Sequence, residues 1–433
     1  MSLLLDAKSP ITFKNIPEKM INYGGASPLS NKDTIFRKST CRNSCSILAE
    51  IGGIGMTIEP LTIKIGGEQL VFLKKRLRQT MLPAALEMSD WDQGMSGDYF
   101  QKLISYWSTE FRWQQQEVKL NRFKNFQAVL GDFRVHFIYE RGASSNSIPI
   151  ILTHGWPDSF LRYTKVLPLL TKKRRFADGQ EFSFDVVIPS LPGFGFSNYP
   201  AAVPAINNAT IAALWQRLMT EELGYSKFIA AGGDLGSSIS RYLAADNPAN
   251  LLGLYLNDVG IIRELLTPQP DDQADLRVYQ KKVQTWLRTE AAFMNLQATK
   301  PQTLAFALAD SPAGLAAWLL EKFHAWSDSQ TTWKLDELLT NVMLYWLGNS
   351  SATAGRLYYE NAHQLKSLGK LAVPTGVCRL PADLLLPPKD WVAAHFNLIH
   401  WTKLSSGGHF TAWENPQEYA TDLFDFTHKL KLL

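Results

Sequence analysis

The sequence predicts an α/β fold with a mostly parallel, doubly wound sheet, and three observations support this prediction. Short apolar runs of the kind found in buried parallel strands occupy residues 149–153, 184–189, 227–231 and 251–256. Helical patterns such as that of residues 211–219 separate these runs, and this alternation is typical of a doubly wound sheet. The third run leads directly into a turn of small residues at 232–236. Functional side chains of such sheets lie at the carboxyl ends of the strands, which is where this turn falls.

Size and composition agree with a large globular domain. The chain has 433 residues, of which 45% are hydrophobic and 19% charged, so it can bury a substantial core. Its 13 Trp, 14 Tyr and 23 Phe indicate an interior or a pocket rich in aromatic side chains. A net charge of +4 is too weak to indicate a nucleic-acid partner.

Cysteine usage and hydropathy indicate the cellular setting. Cys41, Cys45 and Cys378 cannot form a disulfide framework, and the first two lack a second pair of ligands for a metal site. No run approaches the roughly 18 to 20 apolar residues of a membrane span, and residues 1–6 are too short for a signal sequence. We therefore expect a soluble, cytoplasmic protein with no metal and no transmembrane segment, and we leave self-association open.

The pattern along the chain divides it into five regions. The first is rich in Ser, Asn, Lys and Gly without sustained periodicity, which indicates a poorly ordered leader. The second has apolar residues at helical spacing and then an alternating strand at 132–139. An insertion of aromatic-rich helices interrupts the sheet domain as a cap. The predicted regions are the leader 1–56, an N-terminal helical region 57–140, the first part of the core 141–259, the cap 260–365 and the second part of the core 366–433.

A carboxylate occupies the centre of the small-residue turn. The sequence Gly232-Gly233-Asp234-Leu235-Gly236 fits the pattern of the strand-to-helix elbow that projects the nucleophile in α/β-hydrolases. An aspartate nucleophile forms an ester with an alkyl carbon and suits strained ethers or alkyl halides, whereas serine suits acyl transfer. The alternative is that Asp234 only caps the following helix, since Asp is a preferred N-cap residue.

A loop after the first core strand supplies candidate hydrogen-bond donors for this carboxylate. In His154-Gly155-Trp156-Pro157 we expect the backbone N–H of Trp156 to form half of an oxyanion hole, and that of Leu235 to form the other half. His154 and Pro157 are expected to line the substrate pocket, although an ordinary tight turn would also explain them.

The chain also offers a base and an acid that orients it. His409 lies in the glycine-rich segment 405–410 after the last predicted strand, and Asp383 follows the strand before it. The chain order nucleophile, acid, histidine is that of α/β-hydrolases. Asp258, directly after the fourth apolar run, is the rival for the position of the acid.

These motifs together resemble the microsomal-type epoxide hydrolase family over about residues 57–430. The carrying segments are 111–121, the loop 154–157, Pro192-Gly193-Phe194-Gly195-Phe196-Ser197, the elbow at Asp234, the cap run 340–346 and Gly407-Gly408-His409-Phe410. The resemblance implies an α/β-hydrolase fold with a helical cap and cofactor-independent catalysis. It also implies Asp234 as nucleophile, His409 as base and Asp383 as its partner.

The cap departs from the family pattern at one position. The family uses two cap tyrosines to protonate the epoxide oxygen, because an alkoxide leaving group needs an acid at neutral pH. Tyr358 matches one of them, while Phe293 stands where the other is expected, and Leu235 replaces the tryptophan usual after the nucleophile. A single acid could suffice, Tyr359 or another cap residue could replace the second, or the substrate has changed. Phe293 and Tyr359 are both expected to line the pocket.

The sequence therefore predicts hydrolysis of a small apolar epoxide to a vicinal diol through an ester on Asp234. Two alternatives remain at this point. A haloalkane dehalogenase also uses an aspartate nucleophile, but Leu235 stands where such enzymes commonly carry a halide donor. A binding protein without catalysis draws support only from Phe293.

Overall fold

The computed structural model describes residues 57–83, 90–203, 205–259, 274–364 and 367–432, so the predicted leader lies outside the described residues. A single main sheet runs through this part of the chain in the order β1-β2-β3-β6-β4-β7-β8-β9-β10, and β5 pairs with β6. The strands are β1 (Ile58–Pro60), β2 (Asn125–Leu130), β3 (Phe133–Glu140), β4 (Ser147–Thr153), β5 (Arg174–Arg175), β6 (Glu181–Pro189), β7 (Phe228–Gly232), β8 (Leu251–Leu256), β9 (Leu371–Arg379) and β10 (Phe396–Lys403).

The sheet changes direction in a way that positions the site. Strands β1, β2, β3 and β6 pair antiparallel, while β6, β4, β7, β8, β9 and β10 pair parallel. The chain leaves β4 for β6 on one side and returns to β7 on the other, so the strand order reverses at β4. Ligands bind at such reversals, outside the carboxyl ends of the strands. Here Thr153 of β4 is in register with Gly232 of β7.

Helices cover the sheet, and a group of them, α7 to α12, lies in the chain between β8 and β9. Helices α1 to α3 lie in the chain between β1 and β2. The helices are α1 (Gly67–Arg78), α2 (Gly97–Thr109), α3 (Trp113–Leu120), α4 (Leu167–Leu170), α5 (Asn208–Arg217), α6 (Leu235–Asp246), α7 (Ala274–Thr289), α8 (Ala292–Thr299), α9 (Pro301–Asp310), α10 (Pro312–Trp326), α11 (Leu335–Gly348), α12 (Ser350–Gln364), α13 (Lys389–His395), α14 (Thr411–Glu414) and α15 (Pro416–Lys429).

The central strands are buried on both faces, which explains why their sequences are continuous apolar runs. Ile150, Ile151 and Leu152 of β4 have no exposed surface, and Phe228 and Ile229 of β7 are equally enclosed. Strands covered by helices on both sides need apolar residues at successive positions rather than alternation. The predicted α/β class with a mostly parallel, doubly wound sheet is confirmed.

The N-terminal helices brace the cap. The hydroxyl of Tyr106 and the amide of Gln116 each donate to a different oxygen of Asp336 at 3.0 Å. Arg76 of α1 forms an ion pair at 2.6 Å with Asp310, at the end of α9. The N-terminal region and the cap are therefore joined by polar contacts at two points.

Within the part of the chain that the structure describes, no single helix combines the length and the apolar composition of a membrane span. Helices α9 and α10 reach that length and composition only together, as a pair bent by 117°.

Close backbone packing at the end of β7 demands glycine at two positions. Asp234 has φ 55° and ψ −128°, a left-handed conformation that costs a non-glycine residue about 1–3 kcal/mol. A Cβ at Gly236 would lie 1.9 Å from the carbonyl oxygen of Thr153, and one at Gly232 would lie 2.4 Å from the carbonyl carbon of Gly236. The glycines therefore allow β4, β7 and α6 to meet beneath Asp234.

We expect Gly236→Ala to destabilise the fold by about 3 kcal/mol or more, because the methyl group would overlap a backbone oxygen that cannot move aside. Urea denaturation followed by circular dichroism measures the change. Gly67→Ala is the matched control, since a Cβ there meets nothing within 4 Å. That helical substitution should be neutral or slightly stabilising. Equal stability of the two variants would contradict the steric argument.

Candidate active site

The two carboxylate oxygens of Asp234 have different surroundings. Oδ1 accepts hydrogen bonds from the backbone N–H of Trp156 at 2.9 Å and of Leu235 at 2.7 Å. Oδ2 lies 3.3 Å from Nε2 of His409. Asp234 does occupy the N-cap position of α6, but a cap has no need of the donor from Trp156, which belongs to another loop. Its side chain keeps 15% of its surface accessible.

His409 joins Asp234 to Asp383. The Nδ1 atom of His409 lies 3.1 Å from Oδ1 of Asp383, within hydrogen-bonding distance, and the imidazole is 1% exposed. Asp383 also accepts the backbone N–H of Leu384 at 2.8 Å, which fixes its carboxylate. The three side chains selected from the sequence therefore meet in space, although they come from distant parts of the chain.

Asp258, the rival acid, also lies at this site. One of its oxygens is within 4.8 Å of both a nitrogen of His409 and an oxygen of Asp234. The hydrogen bond to Nδ1, however, belongs to Asp383. The structure thus favours Asp383 as the partner of the imidazole and adds a third carboxylate nearby.

The charge state of His409 reflects these neighbours. Burial by itself lowers the pKa of His409, but its contacts with the carboxylates of Asp234 and then Asp383 outweigh burial and raise this pKa to about 10. A cation between carboxylates is stabilised in a site with little water. The imidazole therefore carries a proton at neutral pH.

A buried ion pair ties the Trp156 loop to the histidine. Asp158 and Arg162 are both fully buried and bonded to each other. Asp158 accepts the N–H of Gly155 at 2.9 Å, and Arg162 donates to the backbone oxygen of His409 at 2.9 Å. Burial raises the pKa of Asp158, yet Arg162 more than compensates and lowers it to about 2. Sequence reasoning missed this pair, although opposite charges four residues apart in an apolar segment were a usable signal.

His154 and Pro157 support the loop with their polar groups. Because Nε2 of His154 accepts the N–H of Leu191 at 3.2 Å, its proton is on Nδ1, which donates to the carbonyl of Gly155 at 2.9 Å. The carbonyl of Pro157 accepts from the amide of Asn341 in α11 at 2.8 Å. His154 has no exposed surface. Both residues therefore hold the loop in place, and their predicted contact with substrate stays a prediction.

Aromatic rings of the cap cover the loop. The ring of Phe293 stacks on Trp156 with centroids 5.0 Å apart and an interplanar angle of 9°, and Tyr358 meets Trp156 edge-on at 5.9 Å. Trp326 lies 5.1 Å from Phe293 and 5.3 Å from the imidazole of His409. Trp156, Phe293, Trp326 and Tyr358 form an aromatic cluster. Through Trp156 this cluster includes the loop 154–157, and through Trp326 it contacts the imidazole of His409. Trp326 was not selected from the sequence, because a tryptophan in a helical pattern is more often a core residue.

The two neighbouring tyrosines of α12 face different surroundings. Burial, and next the charge of Asp234, raise the pKa of Tyr358 well above its ordinary value, so this hydroxyl keeps its proton. Tyr359 is 37% exposed, stacks on His363 at 4.2 Å and lines a surface cavity of about 660 Å³ with Phe306 and Arg356. Successive residues on a helix point about 100° apart, which explains the separation. The structure does not support the expectation that Tyr359 lines the pocket or replaces the missing donor.

Comparisons with known proteins identify the class and then the family. Residues 148–416 match the family described as "alpha/beta hydrolase fold", so this chain is an α/β-hydrolase. Residues 58–163 match "Epoxide hydrolase N terminus". The chain belongs to the epoxide hydrolase family, which confirms the resemblance noted from its motifs.

Three relatives illustrate this similarity. A protein of Stigmatella aurantiaca (strain DW4/3-1), assigned by its name to the epoxide hydrolases, is 38% identical over 86% of both chains. Epoxide hydrolase 1 of Oryctolagus cuniculus is 33% identical over 86% of this chain and 88% of its own. The crystal structure of juvenile hormone epoxide hydrolase from the silkworm Bombyx mori superimposes with a TM-score of 0.78 at 27% identity, covering 88% of this chain and 97% of that one.

We expect Asp158→Asn to lower the free energy of unfolding by about 3–5 kcal/mol, because it leaves the buried charge of Arg162 without its partner. Chemical denaturation measures this loss. The double variant Asp158→Asn with Arg162→Met is the control, and it should recover much of the stability because both charges are gone. A single variant as stable as the parent would contradict a strong interaction within the pair.

Proposed function

We propose that this chain hydrolyses an apolar epoxide to a vicinal diol through a covalent ester on Asp234. The observation that carries the proposal is the unequal treatment of the two oxygens of Asp234. Two backbone amides bind Oδ1, while Oδ2 faces His409. One oxygen is thus free to attack, and the other is held where negative charge will later develop.

In the first step Oδ2 of Asp234 attacks a ring carbon of the epoxide. The bond between that carbon and the ring oxygen breaks, and the oxygen leaves as an alkoxide. The hydroxyl of Tyr358 donates its proton to this oxygen. The high pKa of Tyr358 suits the task, because the proton stays on the phenol until a strongly basic oxygen forms beside it.

In the second step water attacks the carbonyl carbon of the ester. His409 accepts a proton from this water through Nε2, and Asp383 stabilises the resulting imidazolium at Nδ1. The oxyanion forms at Oδ1, where the amides of Trp156 and Leu235 stabilise it. The bond between the carbonyl carbon and Oδ2 then breaks, the imidazolium gives its proton to Oδ2, and the diol leaves with this oxygen. The carboxylic acid that remains on Asp234 transfers its proton to His409, which restores the starting state.

The ester itself prepares the base for this step. In the free enzyme, contact with the Asp234 carboxylate helps to raise the pKa of His409 to about 10. Once Asp234 is alkylated it is neutral, so that stabilisation of the imidazolium is lost and its pKa falls. Burial then favours the uncharged imidazole, so His409 gives up its proton, which returns through water to the phenolate of Tyr358, and Nε2 can then accept a proton from the attacking water. Base catalysis is therefore available after the ester forms.

The aromatic cluster supports an apolar substrate. Trp156, Phe293 and Trp326 are each at most 6% exposed, and their faces offer apolar contact rather than hydrogen bonds. The silkworm relative is named for an epoxide of juvenile hormone, and we extend only the epoxide class to this chain. Tyr358 near the Asp234 charge favours an ether oxygen over a halide as leaving group, since a halide needs no proton.

We expect a single turnover in ¹⁸O-labelled water to place the label in the peptide that contains Asp234. Water attacks the carbonyl carbon, so its oxygen stays in the enzyme while an original carboxylate oxygen leaves in the diol. Mass analysis of the proteolysed enzyme measures the label. An unlabelled peptide after repeated turnover of an epoxide would reject the ester route.

A trapped ester gives the control for this experiment. His409→Gln should still be alkylated but should hydrolyse the ester slowly, so an adduct accumulates that intact-mass analysis detects. General base catalysis of this kind contributes about 10²- to 10⁴-fold. Asp234→Asn should show neither the adduct nor the diol.

We expect Phe293→Tyr to increase the rate of enzyme alkylation by about 10-fold, if a second hydroxyl donor stabilises the alkoxide. Rapid quenching followed by intact-mass analysis measures alkylation separately from ester hydrolysis. Tyr358→Phe is the matched control and should slow the same step by about 100-fold or more, since it removes the remaining donor. An unchanged or lower rate in Phe293→Tyr would show that the site has adapted to phenylalanine.

A further inference from the structure

Glu414 binds the turn that carries His409 and the cap at the same time. Its Oε1 accepts the N–H of Phe410 at 2.9 Å, and its Oε2 accepts that of Gly408 at 3.2 Å. Oε2 also accepts the N–H of Asp328 at 2.8 Å and the hydroxyl of Thr331 at 2.7 Å. Gly408 and Phe410 flank the histidine, while Asp328 and Thr331 belong to the cap segment between α10 and α11. One carboxylate therefore receives four donors from two regions.

The remaining amides of the turn bond to the cap at Trp326, the last residue of α10, and at Asp328. The N–H of Gly407 donates to Oδ2 of Asp328 at 2.9 Å, and the N–H of His409 donates to the carbonyl of Trp326 at 2.8 Å. The backbone from Gly407 to Phe410 is thus held at every amide. All four bonds lead to the cap directly or through Glu414.

We propose that Glu414 is a positioning residue that fixes the His409 turn to the cap and thereby sets the position of the imidazole relative to Asp234. This inference rests on the proposed function, in which His409 acts on the ester. The bonds of Glu414 described above go to backbone amides and to Thr331, and none goes to the imidazole. Its effect is exerted through the backbone on both sides of His409.

Only one of the two chemical steps depends on the position of His409. Alkylation uses Asp234 and Tyr358, whereas ester hydrolysis needs His409 within reach of a water molecule at the ester. Displacement of a reacting group by about 1 Å can cost about 10²-fold in rate. Loss of the Glu414 contacts should therefore slow ester hydrolysis and leave alkylation nearly unchanged.

Glu414→Gln is the variant that tests this effect. Glutamine has the same shape, but only one of its two terminal atoms accepts hydrogen bonds, so its NH₂ group must face either Phe410 or the three donors at Oε2. We expect ester hydrolysis to slow by about 10- to 100-fold, with alkylation within about threefold of the parent. Rapid-quench intact mass should then show accumulated alkylated enzyme.

Glu418→Gln is the matched control. Glu418 accepts from the N–H of Ser405 at 2.9 Å, from its hydroxyl at 2.8 Å and from Asn415 at 2.8 Å. It thus holds the same loop before the turn but contacts no residue of the cap segment in these bonds. This variant should leave both steps unchanged.

Thr331→Val covers the case in which Glu414→Gln does not fold. It removes one donor from the cap side and keeps the side-chain shape. Slower hydrolysis with unchanged alkylation in this variant would support the proposal. Unchanged hydrolysis in folded Glu414→Gln, or in Thr331→Val where Glu414→Gln does not fold, would overturn it, as would equal slowing of both steps. If neither the parent nor His409→Gln ever forms an alkylated enzyme, the proposed function fails instead, whatever Glu414 does.

Discussion

The pair of amide hydrogen bonds to one oxygen of Asp234 is the constraint on which the site depends. The amide of Trp156 follows β4 and that of Leu235 begins α6, so the two donors converge only because β4 and β7 are in register at Thr153 and Gly232. The left-handed backbone of Asp234 then turns its side chain toward them. The parallel pairing of β4 and β7 thus places two backbone amides where they can stabilise an oxyanion.

The charged side chains around Asp234 are buried and paired with opposite charges. The carboxylates of Asp234 and Asp383 share His409, and Asp158 pairs with Arg162 beneath the loop. Arg162 also binds the backbone of His409, so the second pair supports the first. A site with little water strengthens each of these interactions and makes an unpaired charge costly. The pKa of His409 is therefore higher when Asp234 carries a negative charge than when it does not.

Much of this arrangement could be predicted from the sequence, because local patterns encode it. Apolar runs predicted the strands. Two turns rich in small residues predicted the catalytic candidates Asp234 and His409. The choice between Asp383 and Asp258 could not be made from spacing, since both follow strands of the same sheet and only the contact at Nδ1 distinguishes them. Tyr359 lines a surface cavity, whereas its neighbour Tyr358 on α12 contacts Trp156, and the sequence pattern does not distinguish these two faces. Glu414 could not be selected from the sequence because two of its four donors, Asp328 and Thr331, lie in the cap more than 80 residues earlier.

Trp326 contacts both the aromatic cluster, which is proposed to bind the substrate, and His409, the proposed base for ester hydrolysis. The ring of Trp326 contacts both Phe293 and the imidazole of His409, and its carbonyl accepts the N–H of that same histidine. A change in the aromatic cluster that admits a different epoxide therefore acts on the segment that positions the base. Packed interiors transmit such shifts because they have few voids to absorb them. Substrate preference and the rate of ester hydrolysis should consequently change together in variants of the cap, even though the two steps use different reacting groups.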